Sequence, residues 1–118
     1  CYNLEENSVW VQSGRGYTRD RNIKPEFAVP GVNVTGAIPG GSFTERSGSS
    51  VGIAIAAGSA ALLLQWIIQD QGAQASSSQI RNILILGTRR NPGIEYPNRL
   101  WGYGTMDLYH TFEEIRQL

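Results

Sequence analysis

The longest apolar stretch of the 118-residue chain lies at residues 51–68, where hydrophobic side chains occur on every side of a helical projection. A helix that is apolar all round is typical of a buried core element. The pattern therefore predicts a core helix from about residue 50 to residue 69, ended by Gln71 and Gly72. Gly52, Gly58 and Gln65 interrupt the stretch, and we do not expect it to cross a membrane.

Shorter patterns predict the other elements. Strand-like runs occur at residues 9–11, 27–29 and 32–34, a turn occurs at residues 39–41, and residues 42–47 are predicted to be a polar loop. Serines at positions 76–78 offer an N-cap for a second helix that extends to about Leu86. Thr105 is predicted to cap a last helix ending near Leu118. Short strands followed by helices indicate an α/β or α+β fold.

Composition excludes several classes of function. Ten basic and ten acidic residues give no net charge, so neither nucleic acid nor an anionic membrane surface is an expected partner. Cys1 is the only cysteine, which excludes an intramolecular disulfide and a multi-cysteine metal site. No metal-ligand constellation, phosphate loop or dinucleotide motif is present, and no cofactor is predicted.

The most informative residues are Gly48-Ser49-Ser50-Val51-Gly52, just before and within the start of the apolar helix. A serine in the first turn of a helix lies beside free N–H groups that can stabilise an oxyanion. The same residues could form only a helix cap. They also fit the G-x-S-x-G elbow of α/β-hydrolases, with Asp107 and His110 in the expected order. Against that alternative, the preceding segment is polar, and both partners lie on one predicted helix, where His110 is expected to be a solvated residue.

A second motif fits better. Subtilisin-like serine proteases (subtilases) carry Gly-Thr-Ser-x-Ala-x-Pro-x-x-x-Gly around their nucleophile, and this chain resembles that signature at Gly48, Ser50 and Gly58. Ser49, Gly52 and Ala54 replace the usual Thr, Ala and Pro. Upstream, residues 24–34 read KPEFAVPGVNV and resemble the family's Lys-Pro-Asp-x-x-Ala-Pro-Gly block at the expected distance.

Three further segments resemble one branch of that family, which includes the Csp-type germination proteases of spore-forming bacteria. They are residues 13–19 (SGRGYTR), 96–104 (YPNRLWGYG) and 107–109 (DLY). The resemblance implies an α/β fold in which residues 1–118 are the C-terminal portion of a subtilisin-like catalytic domain. The N-terminal part, with the catalytic Asp and His, would then be absent. The location implied by the resemblance alone is extracytoplasmic or spore-associated.

The resemblance also implies a mechanism. Ser50 would be the nucleophile of a serine endopeptidase acting on protein or peptide substrates, and Gly48, Ser49 and Ser50 would form the nucleophile and oxyanion turn. Arg46 and Ser47 would lie in a loop on the substrate side. The chain alone, without its base, would be inactive. The alternative is a catalytically dead subtilase-like module used in signalling or protein interaction.

The chain is also expected to self-associate. An all-round apolar helix needs cover on every side, and the few other elements here can supply only part of it. We therefore expect the isolated chain to expose apolar surface that the missing part of the catalytic domain would cover.

Overall fold

The computed structural model describes residues 1–116. Two short antiparallel hairpins precede three helices along the chain. The strands are β1 (Tyr2–Asn3), β2 (Ser8–Val9), β3 (Val34–Ile38) and β4 (Ser42–Arg46), and the helices are α1 (Ser49–Gln65), α2 (Ser77–Leu86) and α3 (Leu108–Arg116). This order confirms the predicted combination of short strands and three helices.

Three extended segments lie side by side and lead into the start of α1. Residues 27–31 run parallel to β1 on one side and parallel to residues 104–106 on the other, through isolated bridges. The bonds are Tyr2 N–H to Val29 O (3.0 Å), Gly31 N–H to Tyr2 O (3.1 Å), Ala28 N–H to Gly104 O (2.9 Å) and Met106 N–H to Ala28 O (2.8 Å). The predicted extended run at residues 27–29 is therefore the middle segment of a small parallel arrangement.

The hairpin formed by β3 and β4 corrects one prediction. Residues 42–47 were expected to form a polar loop, but Ser42–Arg46 is a strand that pairs with Val34–Ile38. Gly40 and Gly41, with φ of 96° and 78°, make the predicted turn between the two strands. None of the β4 residues is buried, so the strand carries no hydrophobic alternation by which the sequence could reveal it.

Helix α1 confirms the predicted helix and its place in the chain, and its C-terminal part lies in a hydrophobic core. It begins at Ser49, and after Gln65 it continues as a π-helical segment, Trp66–Asp70. Its C-terminal half packs against α2 and α3 in one hydrophobic core. The buried members of that core are Leu63, Ile67, Ile80, Leu84, Met106 and Ile115.

The N-terminus of α2 is capped as the sequence predicts, whereas that of α3 is not. Ser76 accepts a hydrogen bond from the Gln79 N–H (3.2 Å), and the Gln79 side chain accepts one from the Ser76 N–H (2.7 Å), which is a capping box. The predicted cap of α3 at Thr105 is wrong, because Thr105 pairs with the extended segments. Asp107 caps α3 instead, accepting from the His110 N–H at 2.9 Å. The predicted end near Leu118 lies outside the described residues.

Much of α1 is exposed. Ile53, Leu62 and Ile68 expose 67%, 54% and 53% of their surface, although each is a large apolar residue. Within residues 1–116, one helical stretch, Ser49–Asp70, is long and apolar enough to cross a membrane by length and composition. One such helix is weak evidence, because the core helix of a globular domain has the same composition.

Candidate active site

The start of α1 is fixed by a close approach of two glycines. The Gly48 N–H donates to Gly31 O at 2.8 Å, and Gly31 is itself bonded to β1. A Cβ at Gly31 would lie 2.9 Å from Gly48 O and 2.6 Å from Cys1 Cβ. Only a glycine lets the two chain segments approach this closely, so the turn before α1 is docked directly on the extended segments.

Gly48 also adopts a backbone conformation that requires glycine. Its φ and ψ are 154° and 160°, in a region that residues with a Cβ do not occupy without strain. The Gly48 carbonyl accepts from Val51 N–H (3.1 Å) and Gly52 N–H (3.2 Å) and so closes the first helical turn. The chain therefore turns sharply at Gly48 and enters α1 with Ser49 and Ser50 in its first turn.

The first turn of α1 carries unused hydrogen-bond donors. No side chain caps this terminus, in contrast to the capping box of α2. The N–H groups of Ser49 and Ser50 have no backbone or side-chain acceptor among residues 1–116. Ser50 is also exposed. An exposed hydroxyl beside free N–H donors at a helix N-terminus is the arrangement that acyl transfer needs, because the developing oxyanion takes up those donors.

Small residues allow α1 to pack closely just after Ser50. Gly52 is buried, and a Cβ there would lie 2.7 Å from Val29 Cγ2 and 3.5 Å from Pro30 O. The helix therefore rests on residues 29–30 at a distance that only glycine allows. Together with the bond to Gly31, this contact fixes the position of the first turn on the parallel segments.

A groove of about 380 Å³ lies between the β3–β4 hairpin and the first turns of α1. Ser50 and Arg46 both line it, so the structure brings together the predicted nucleophile and one predicted substrate-side residue. Ser47 does not line this groove, and its hydroxyl accepts from the Asn33 N–H at 2.8 Å. The sequence reasoning missed the groove walls Val34 and Thr44, because it did not predict β4.

The structure does not bring Asp107 and His110 to Ser50. Both lie at the start of α3, where His110 Nδ1 is 2.9 Å from Gly87 O and His110 Nε2 is 3.2 Å from Glu114 Oε1. The side chain of His110 is 28% exposed, so it lies on a helix as predicted but is only partly solvated. The α/β-hydrolase alternative has no support from this arrangement.

Asp107 has a structural role at this end of the molecule. Its carboxylate pairs with Arg89 and accepts from the His110 N–H. Partial burial raises the pKa of Asp107, but the hydrogen bond from His110 and the Arg89 guanidinium outweigh that effect and hold the pKa below its usual range. These contacts tie α3 to the segment that follows α2.

No group of three or more His, Cys, Asp or Glu residues that could hold a metal ion occurs among the residues that the structure describes. The groove itself is lined by the hydroxyl-bearing Ser50 and by Arg46.

Comparison with known proteins agrees with this geometry. A family model described as the subtilase family (Peptidase_S8) matches residues 2–104. The chain belongs to the subtilase family. A search of curated proteins finds no significant match.

Solved structures support the same assignment. The CspB protease of Clostridium perfringens superposes with a TM-score of 0.90 at 33% identity, over 98% of this chain and 25% of that one. The prenylagaramide maturation protease PagA gives a TM-score of 0.59 at 28% identity, over 72% of this chain and 31% of that one. The patellamide maturation protease PatA gives 0.61 at 26% identity, over 75% and 33%. The predicted resemblance to the Csp-type branch is confirmed.

The subtilase chain therefore spans about a quarter of the length of the CspB structure that it matches. It contains the segments that the sequence resemblance assigned to the nucleophile turn and to the block upstream of it. In the superposition with CspB, nearly the whole chain follows the subtilase fold.

Proposed function

We propose that this chain is the C-terminal, nucleophile-bearing portion of the catalytic domain of a subtilisin-like serine endopeptidase. The observation that carries the proposal is the first turn of α1. There an exposed Ser50 follows the strained Gly48 turn, beside N–H groups without acceptors, in a chain of subtilase fold.

In the proposed mechanism, Ser50 Oγ attacks the carbonyl carbon of a substrate peptide bond while its proton passes to a histidine base. The carbonyl oxygen becomes an oxyanion that accepts from the Ser50 N–H. The C–N bond then breaks, the amine leaves with the proton, and an acyl-enzyme on Ser50 is left. Water then gives a proton to the base and attacks the acyl carbon; the ester C–O bond breaks, the product acid leaves, and the proton returns to Ser50 Oγ.

A part of the catalytic domain that precedes this chain would supply three groups. They are the base, the aspartate that orients it and a side-chain donor to the oxyanion. Two features support that division. The only histidine, His110, is engaged at the start of α3, and α1 exposes large apolar side chains of the kind that a second half of the domain would cover. The 118-residue chain alone is then inactive.

Peptide hydrolysis by the complete gene product tests this function. Turnover of a mixed fluorogenic peptide library should be lost in Ser50→Ala and kept in Ser42→Ala, a matched change at an exposed serine at the far end of β4. The 118-residue chain alone should give no turnover. A well-folded complete product without any hydrolysis would overturn the proposal and favour a non-catalytic role.

A further inference from the structure

The groove beside Ser50 carries a charged side chain, Arg46, which has no part in the proposed attack by the nucleophile. Along a β-strand, alternate residues face the same side, so Thr44 and Arg46 of β4 share one face while Phe43 and Glu45 share the other. Thr44 and Arg46 line the groove and Glu45 does not. The strand thus places a cation on the groove side and its neighbouring carboxylate on the opposite side.

Arg46 has no ion-pair partner among residues 1–116. Its partner across the hairpin is Val34, and the α1 residues beside it in the groove are Val51, Ala54 and Ile55. Apart from Ser50, Thr44 and Arg46, the wall of the groove is aliphatic or glycine. A single exposed guanidinium beside apolar walls favours one kind of ligand side chain, which is a carboxylate on a short aliphatic stem.

Arg46 lines the same groove as the nucleophile. It precedes Ser50 by four residues, which limits the separation of their Cα atoms to about 14 Å even for an extended chain. The sharp turn at Gly48 lies between them, and both side chains line the same groove. A substrate bound along this groove would therefore present the residues beside the attacked carbonyl to the wall that carries the guanidinium.

We propose that Arg46 is a specificity-determining residue that selects substrates with a glutamate or aspartate directly beside the scissile bond. This inference rests on the proposed endopeptidase function and adds the substrate class. The guanidinium pairs with the substrate carboxylate while the aliphatic groove wall covers its stem.

Matched peptides test the inference on the complete gene product. Two pairs of fluorogenic peptides are compared by kcat/KM. The members of each pair differ only in Glu or Gln, at the residue before the scissile bond in one pair and at the residue after it in the other. An ion pair at a partly exposed site predicts a preference for Glu of about fivefold, and this preference should decrease as salt is added. Arg46→Gln should bring the Glu/Gln ratio of the selective pair to about one, and Arg46→Glu should favour a further peptide that carries Lys at the same position as that pair.

Arg81→Gln is the control, because it removes the same charge from an exposed arginine on α2 that lines a separate cavity. The Glu/Gln ratio should be unchanged in that variant. If all peptides are cleaved but the ratio is unaffected by Arg46→Gln, the inference is wrong and the endopeptidase function stands. If Ser50-dependent hydrolysis of every peptide is absent, both are overturned.

Discussion

Gly52 of α1 and Val29 of the parallel segment form a size-matched pair, in which the Cβ that alanine would add at Gly52 lies 2.7 Å from Val29 Cγ2. The subtilase motifs to which these segments correspond have Ala at both positions. Compared with alanine, Val29 is larger by two methyl groups and Gly52 is smaller by one. The pair keeps the first turn of α1, and with it Ser50, in place on the parallel segments.

The pair predicts non-additive stability effects. Helix propensity alone would make Gly52→Ala stabilising by about 1 kcal/mol, but overpacking against Val29 should make it destabilising by about 1–3 kcal/mol. In the Val29→Ala background the same change should cost much less. Urea unfolding of the complete gene product in a double-mutant cycle measures the coupling, and additive effects would show that the two residues do not compete for space.

Gly48 should tolerate no side chain. With φ at 154° and ψ at 160°, Gly48→Ala would introduce backbone strain of about 1–3 kcal/mol or move the turn. Because Ser50 follows directly, we expect a large loss of kcat with little change in KM. Gly58→Ala is a matched control in α1, where an added Cβ meets nothing within 4 Å in this chain. Steady-state kinetics and thermal unfolding of both variants separate strain at the turn from a general effect of alanine.

We expect the contacts that the Asp107 carboxylate makes with Arg89 and with the His110 N–H to weaken in acid. Its pKa is held below its usual range by the His110 N–H and Arg89, against the effect of partial burial. A lowered native pKa means that the stabilisation is present above the unfolded-state pKa and is lost as pH falls through the native one. Asp107→Asn should therefore be less stable than the wild type at about pH 7, and the difference should decrease towards about pH 3.

Urea unfolding of the complete gene product across this pH range checks the prediction for Asp107. Glu6→Gln, at an exposed carboxylate in the turn between β1 and β2, should show no such pH-dependent difference. A difference between wild type and Asp107→Asn that stays constant with pH would contradict the proposed role of the charge.

The isolated 118-residue chain should self-associate. Ile53, Leu62 and Ile68 are each more than half exposed along α1 and its π-helical extension. Replacing all three by Gln should shift light scattering towards the monomer, whereas Val11→Gln, at a more exposed apolar residue outside α1, should not. A monodisperse wild-type chain at high concentration would contradict the prediction.

The sequence predicts those elements whose signals are local. An unbroken apolar run identifies α1, and a serine with glutamine three positions later identifies the start of α2. The turn at Gly48 is predictable because a glycine within this short motif allows the backbone conformation that the turn requires. These features do not depend on what lies elsewhere in the chain.

The features that the sequence does not reveal depend on partners far along the chain. Strand β4 has no buried residue in the described structure, and its sequence shows no alternation of hydrophobic and polar residues. Whether Thr105 or Asp107 caps α3 depends on the pairing of Thr105 with Arg89, and the partial burial of His110 depends on the Gly87 carbonyl. The groove shared by Arg46 and Ser50 exists only because of the unpredicted hairpin.

The most direct test of the central claim is the reaction of the complete gene product with a fluorophosphonate probe, followed by mass-spectrometric mapping of the labelled residue. We expect a single label on Ser50, which is lost in Ser50→Ala and kept in Ser42→Ala. Absence of labelling in a well-folded product, or a label on another serine, would contradict the assignment of Ser50 as the nucleophile.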